Sequence, residues 1–131
     1  FEDWELPYAL VLGSKAAIDL TNHVGLENIQ KRNRQLCERV RTGISRLGLR
    51  LLDIGVNQSS IITVEIKNHK AADVLSHLRA KNINTSVGHK SFALIDFNKK
   101  NVEWALRISP HYYNTEHEVD ELLEALKIYS A

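Results

Sequence analysis

Apolar residues recur along this chain first at helical spacing and then, past its middle, at every second position. Leu26, Ile29, Leu36, Val40, Ile44 and Leu47 fall on one stripe of a 3.6-residue helix, interrupted only by Asn33, and Gly48 closes it. Arg32, Arg34, Arg39, Arg41 and Arg46 lie largely off that stripe with Glu27 and Glu38 among them, which reads as a solvated helix surface. Upstream, Leu10, Val11, Ala17 and Ile18 permit a helix from Pro7-Tyr8 to about His23. Gly13 weakens it by about 1 kcal/mol relative to Ala, and residues 22–25 break it.

Beyond Gly48 the period is two. Residues 49–54 fit a short strand, and 61–66 predict a firmer one, with Ile62, Val64 and Ile66 alternating against Thr63 and Glu65. Asn68 can cap a helix over 70–81, whose apolar positions are Ala71, Val74, Leu75 and Leu78. Residues 84–87 and 92–97 are expected to be extended around Gly88, with 98–101 a polar turn. Over 102–109, Val102, Trp104, Leu106 and Ile108 share one face of a strand, and Glu103, Ala105, Arg107 and Ser109 the other; Pro110 ends it. Thr115-Glu116-His117-Glu118 is a capping box, and Val119, Leu122, Leu123 and Leu126 form the stripe of the helix it starts. This order predicts an α+β fold: two N-terminal helices, then a small mixed or antiparallel sheet with helices mainly on one face.

Composition changes that picture little. At 131 residues, with 44% hydrophobic and 25% charged, the chain is expected to be a single globular domain. A net charge of +1 gives no field that would attract nucleic acid or an anionic membrane. One cysteine, Cys37, excludes an internal disulfide, and it sits beside Leu36 as a packing residue. No apolar run reaches the roughly 18–20 residues that span a bilayer, and no charged-then-apolar leader opens the chain, so a cytoplasmic location is expected. The start at Phe1, with Trp4 close behind, is expected of a chain cut from within a longer protein.

Arg107 is the leading candidate for chemistry. A guanidinium on the less apolar face of a late strand is a rigid fork for a carboxylate; the plain alternative is a surface pair with Glu103 or another acid. His89 and His111 flank it in sequence, open either to substrate contact or to a turn. The remaining histidines (His23, His69, His77, His117) lack ligand spacing, so no metal site is expected. There is no Ser/His/Asp elbow and no Gly-rich phosphate loop.

Leu106-Arg107-Ile108-Ser109-Pro110-His111-Tyr112-Tyr113-Asn114-Thr115-Glu116, followed by Glu118-Val119-Asp120, is similar to the closing signature of class V aminotransferase-type enzymes. The front, Phe1-Glu2-x-Trp4-Glu5, then Ala9, Leu12-Gly13, Ala16-Ala17-Ile18 and Gly25-Leu26-Glu27-Asn28-Ile29, resembles the start of that family's C-terminal small domain. The resemblance leans towards isopenicillin N epimerase-like members within a superfamily that includes cysteine desulfurases. It implies a pyridoxal-phosphate (PLP) enzyme in which Arg107 binds the substrate α-carboxylate and His89, Ser91 and His111 line the substrate side. It further implies an amino-acid-like substrate, a homodimer at full length, and transamination ahead of epimerisation or lyase chemistry. The cofactor lysine and most cofactor contacts would lie in a preceding large domain, so this portion alone is expected to bind no PLP and to be inactive. Gly88-His89-Lys90 echoes the family's cofactor-lysine string but stands too close to Arg107 to be it. Residues 88–91 correspond instead to a loop that reads Gly-His-His-Cys in one desulfurase branch. Ser91 stands where the thiol would be, which disfavours desulfurase chemistry. The rival class is a free-standing α+β module that binds a small molecule or a partner chain. A small domain separated from its large domain should expose apolar surface along its first helix.

Overall fold

The computed structural model describes residues 6–130; the Phe1-Glu2-x-Trp4-Glu5 opening lies outside them. Helices α1 (Tyr8–Val24) and α2 (Leu26–Arg46) meet at Gly25, whose φ of 90° is the left-handed backbone that a glycine adopts without a Cβ clash. Strands β1 (Arg50–Leu51) and β2 (Ile62–Glu65) follow, then α3 (Ala71–Ala80) and β3 (Ser86–His89). A 3-10 turn (Lys90–Phe92) leads into α4 (Leu94–Lys100), β4 (Trp104–Ile108), α5 (Glu116–Leu126) and a last 3-10 turn (Lys127–Tyr129). The four strands make one sheet in the order β1-β2-β4-β3, with every neighbour antiparallel. The architecture is the expected α+β one.

Period-two alternation on the inner strands builds the core. Ile62 and Val64 of β2 and Leu106 and Ile108 of β4 are buried against α2, α3 and α5. The capping box at Thr115 forms as expected, with the Glu118 backbone N–H donating to Thr115 Oγ1 at 3.2 Å and the Thr115 N–H donating to Glu118 Oε2 at 2.7 Å. Cys37 is buried with Leu36, Val40 and Ile44 on the core face of α2. Each fully buried aliphatic side chain contributes about 1.5–3 kcal/mol. On the opposite face of the sheet α4 covers a smaller cluster of Leu52, Phe97, Val102 and Ala105.

Several local expectations are corrected. Residues 94–97 are helical rather than extended, with Phe92 closing the 3-10 turn before them, because Phe97 and the N-cap Ala93 pack over Ala105 and Gly88. Residues 98–100 are the last turn of that helix, and Asn101 ends it in the left-handed conformation. Asn68 does not cap α3: it too has positive φ, and Lys70 holds the N-cap position without a side-chain bond. Of residues 49–54 only Arg50–Leu51 pair as a strand. Val102 precedes β4 and joins the α4 cluster instead of sharing the face of Trp104 and Leu106.

The arginines of α2 are more than a solvated surface. Arg39 forms a two-bond fork with Asp120 at 2.7 and 2.8 Å, Arg32 pairs with Glu116, and Arg41 pairs with Asp53 at 2.6 Å. The first two tie α2 to α5. Gly43 does so sterically: a Cβ there would lie 2.3 Å from Leu123 Cδ1 and 2.9 Å from its Cγ. In contrast α1 buries none of its residues; Tyr8, Leu10, Leu12, Ile18 and Leu20 are each more than half exposed. No helix among the described residues is long and apolar enough to cross a membrane.

Gly43→Ala should therefore destabilise the chain by about 1–3 kcal/mol through overpacking, although Ala favours an isolated helix by about 1 kcal/mol. Urea unfolding of the single variant and of Gly43→Ala/Leu123→Ala reads this directly. The interaction energy should be favourable in the double variant, and simple additivity would mean that α2 and α5 are not in this close contact.

Candidate functional site

β4 is an interior strand, and its alternation gives the site its address. Leu106 and Ile108 point into the main core, and Ala105 lies under α4, 1% exposed. Arg107 shares the face of Ala105 but stands beyond the cover of α4, exposed. The register sets Thr63 of β2 on one side of it and Ser86 of β3 on the other. Directly paired residues in an antiparallel ladder project to the same face, so Thr63, Arg107 and Ser86 form one polar row. Leu52, whose N–H donates to the Thr63 carbonyl at 2.8 Å, extends the row towards the small apolar cluster.

The guanidinium of Arg107 makes no hydrogen bond or ion pair among the described residues. Its sheet counterpart Arg50 pairs with Glu65 across the ladder. Glu103, the acid on the face of Arg107, is taken by Lys90 at 2.6 Å, and the Lys90 N–H also donates to the Glu103 carbonyl at 3.0 Å. Asp53, whose Oδ1 accepts from the Thr63 backbone N–H at 3.3 Å, is held by Arg41; both side chains are 15% exposed. The nearby carboxylates are thus engaged, and the Arg107 fork faces solvent.

The other predicted residues lie elsewhere. His89 pairs with Trp104 in the ladder, so it projects to the face opposite Arg107, and its ring lies 6.3 Å from that of Phe92. Ser91 is exposed in the 3-10 turn that follows. His111 lies past the other end of β4, its ring packed 4.8 Å from Tyr112 and 5.2 Å from Tyr113. Its Nδ1 is buried with no partner among the described residues. No hydrogen bond among the described residues joins any of these three side chains to Arg107. A groove of about 610 Å³ between residues 81–85 and the start of α5 is lined by none of the four.

The connection from β4 to α5 is braced at its far end. Arg32 Nη2 donates to the Asn114 carbonyl at 2.9 Å while the same guanidinium grips Glu116, and Asn114 Oδ1 accepts from the His111 N–H at 2.9 Å. The Arg32 hydrogen bond, helped by backbone donation at the helix start, holds Glu116 down to about 2. Glu118 is lowered by the Thr115 backbone and hydroxyl, and Asp120 by the Arg39 fork. These residues could not be found from the sequence, since Arg32 and Glu116 are 84 positions apart.

A PLP site is not completed by the described residues. Lys90 is committed to Glu103, and the sheet face beside it carries the Arg107 guanidinium, where a pyridine nitrogen needs an acid. Nor does any group of three or more His, Cys, Asp or Glu side chains among them gather as metal ligands.

The family model for class V aminotransferases matches residues 5–122. The chain belongs to the class V aminotransferase family. It is 27% identical over 97% of its length to a probable cysteine desulfurase of Borreliella burgdorferi, and 25% identical over 88% to one of Xylella fastidiosa. It spans only 31% and 28% of those relatives. Among solved structures, the cysteine desulfurase CsdA of Escherichia coli superposes on 98% of the chain with a TM-score of 0.84 at 22% identity, using 32% of that protein. The cysteine desulfurase of Thermococcus onnurineus gives 0.78 over 88% at 22% identity. The class V family is one of PLP-dependent enzymes, and the α+β unit described above is its small-domain fold.

The lowered carboxylates at the start of α5 set an acid window for this family member. Their ionised forms are favoured by folding, so the stabilisation is present above about pH 4.5 and is lost as pH falls towards 2. The urea midpoint should drop across that window. Glu116→Gln should lower the midpoint at pH 7 and flatten the drop; an unchanged slope in that variant would mean that Glu116 carries no part of it.

Proposed function

We propose that this chain is the C-terminal small domain of a cytoplasmic PLP-dependent enzyme of the class V aminotransferase type, acting on an amino-acid-like substrate. Arg107 binds the substrate carboxylate, and the loop over residues 88–92 covers the active site with His89 and Ser91; His111 lines the substrate side from the β4–α5 connection. The cofactor and its lysine belong to a large domain of the same protein, which works as a homodimer, and this portion alone is inactive. The observation that carries the reading is an Arg107 guanidinium without a partner among the described residues, on a strand paired on both sides, in a chain matched by the family model. The share of each relative that the chain spans and the bare apolar surface of α1 support a further domain docked beside it.

Transamination is the favoured reaction, ahead of epimerisation or lyase chemistry. The relatives are named as cysteine desulfurases, but a desulfurase needs a thiolate to take sulfur. Ser91 occupies the loop position, and Cys37 is 2% exposed inside the core. A serine hydroxyl stays protonated near neutrality and does not accept sulfur from cysteine.

In the full-length enzyme loaded with PLP, Arg107→Ala should lower kcat/KM for amino-acid substrates about a hundredfold, the scale of a charged, hydrogen-bonded contact. The wild-type enzyme should convert cysteine to alanine and sulfide no faster than a no-enzyme control. Rapid sulfur release would restore the desulfurase reading. For the 131-residue chain itself, PLP followed by borohydride should leave no saturable adduct on Lys90; a stoichiometric one would mean that the chain builds its own cofactor site.

A further inference from the structure

The cross-strand neighbours of Arg107 have a feature that the carboxylate reading leaves unused. Thr63 and Ser86 are its direct ladder partners, one on each side, and their hydroxyls make no hydrogen bonds among the described residues. Both backbones are fixed: the Thr63 carbonyl accepts from Leu52, its N–H donates to Asp53, and Ser86 is locked in the β3–β4 ladder. Ser and Thr hydroxyls can swing their hydrogen about the Cβ–Oγ bond, so each can donate to an oxygen that the guanidinium holds against this face of the sheet. We infer that Thr63 and Ser86 donate to the same substrate carboxylate as Arg107, so that carboxylate selection is made by a three-residue row across β2, β4 and β3 rather than by one arginine. This inference rests on the proposed role of Arg107.

Three physical points support the row. First, an arginine fork meets both oxygens of a carboxylate side-on but leaves a second lone pair on each, and donors flanking the fork within the same sheet face are suited to take them. Second, the surroundings favour an anion. Asp53, the acid next to Thr63, is neutralised by the two-bond contact from Arg41, and Glu103 further along the face is neutralised by Lys90. Third, Leu52 and the α4 cluster border the row with apolar surface that carries no competing acceptor. The Thr63 hydroxyl costs little to keep, since Thr is a favoured strand residue on a half-buried face.

The test is equilibrium binding to the full-length PLP-loaded enzyme, read from the cofactor's absorbance as ligand is added. The probes are L-alanine, L-serine, L-aspartate and L-cysteine, each paired with the amine that lacks its α-carboxylate (ethylamine, ethanolamine, β-alanine and cysteamine). Thr63→Val keeps the shape and strand preference of the side chain and removes only the hydroxyl. It should weaken amino-acid binding about tenfold, as expected for a hydrogen bond to a charged group, and leave amine binding unchanged. Ser86→Ala, on the more exposed edge strand, should weaken amino-acid binding about threefold, and Thr63→Ser should restore near wild-type affinity. Arg107→Lys, in the same assay, should cost about a hundredfold for the amino acids alone. If Arg107→Lys discriminates but Thr63→Val and Ser86→Ala do not, the row is refuted and the role of Arg107 stands. If Arg107→Lys fails to separate amino acids from amines, both fall. Equal weakening of amines and amino acids by Thr63→Val would also refute the row, because it would reflect a disturbed sheet and not a lost carboxylate contact.

Discussion

Leu106 and Ile108 of β4 enter an apolar layer supplied by three helices, and Ala105 is pressed beneath a fourth. Arg107 sits among them, so the register of β4 cannot slip. A one-residue shift would drive a guanidinium into the layer of α2, α3 and α5 and turn Leu106 out to water. Burial of a lone cation costs far more than any gain from a shifted ladder. The same constraint that packs the core therefore sets the Arg107 side chain on the open half of the second face. The burial of its neighbours fixes its backbone position and its face.

The unequal covering of the sheet follows from the lengths of the elements. α2 and α5 are long enough to lie across the main face, and the arginine forks and the Gly43–Leu123 contact hold them side by side. α4 is a seven-residue helix and reaches only the end of the second face at Ala105 and Gly88. The remainder of that face carries Thr63, Arg107 and Ser86. A full layer there would have buried the polar row of Thr63, Arg107 and Ser86, while no layer would have left Ala105 and Leu52 wet. The partial cover resolves both demands, and it places apolar surface beside the Arg107 guanidinium.

What could be read from the sequence was what short-range rules control. The α2 stripe, the alternation of β2 and β4, and the capping box of α5 each depend on residues a few positions apart, and each is present. The helix over Leu94–Lys100 was hidden because its apolar residues are explained only by Ala105 and Gly88 underneath, a contact made through the sheet. The arginine pairs of α2 were hidden for the same reason: their carboxylates come from elements that the chain reaches only much later. Gly43 did leave a trace, since a glycine inside a strong helical stripe signals a close approach. Its partner Leu123 was legible only as one apolar residue of α5. At the site, the resemblance of residues 106–116 to the family's closing signature singled out Arg107, while spacing alone left a surface pair with Glu103 or another acid open. The structure removes Glu103 as that partner by giving it to Lys90. Strand parity, which the sequence reading did not apply to His89, sets it on the face opposite Arg107.

Lys90 shows how one ion pair separates two otherwise similar loops. In a chain where Gly-His-Lys carries a cofactor, the lysine amine must be free to bond to it. Here the ammonium is 2.6 Å from Glu103 Oε1, and the backbones of the same two residues are hydrogen-bonded, so side chain and main chain hold the contact together. The pair continues the β3–β4 ladder one step past His89. It pins the start of the 88–92 loop to the strand that carries Arg107 and fixes where Ser91 leaves the sheet. A residue that resembles a reactive lysine by its neighbours in sequence is, by its neighbours in space, a fastening between the loop and the strand that carries Arg107.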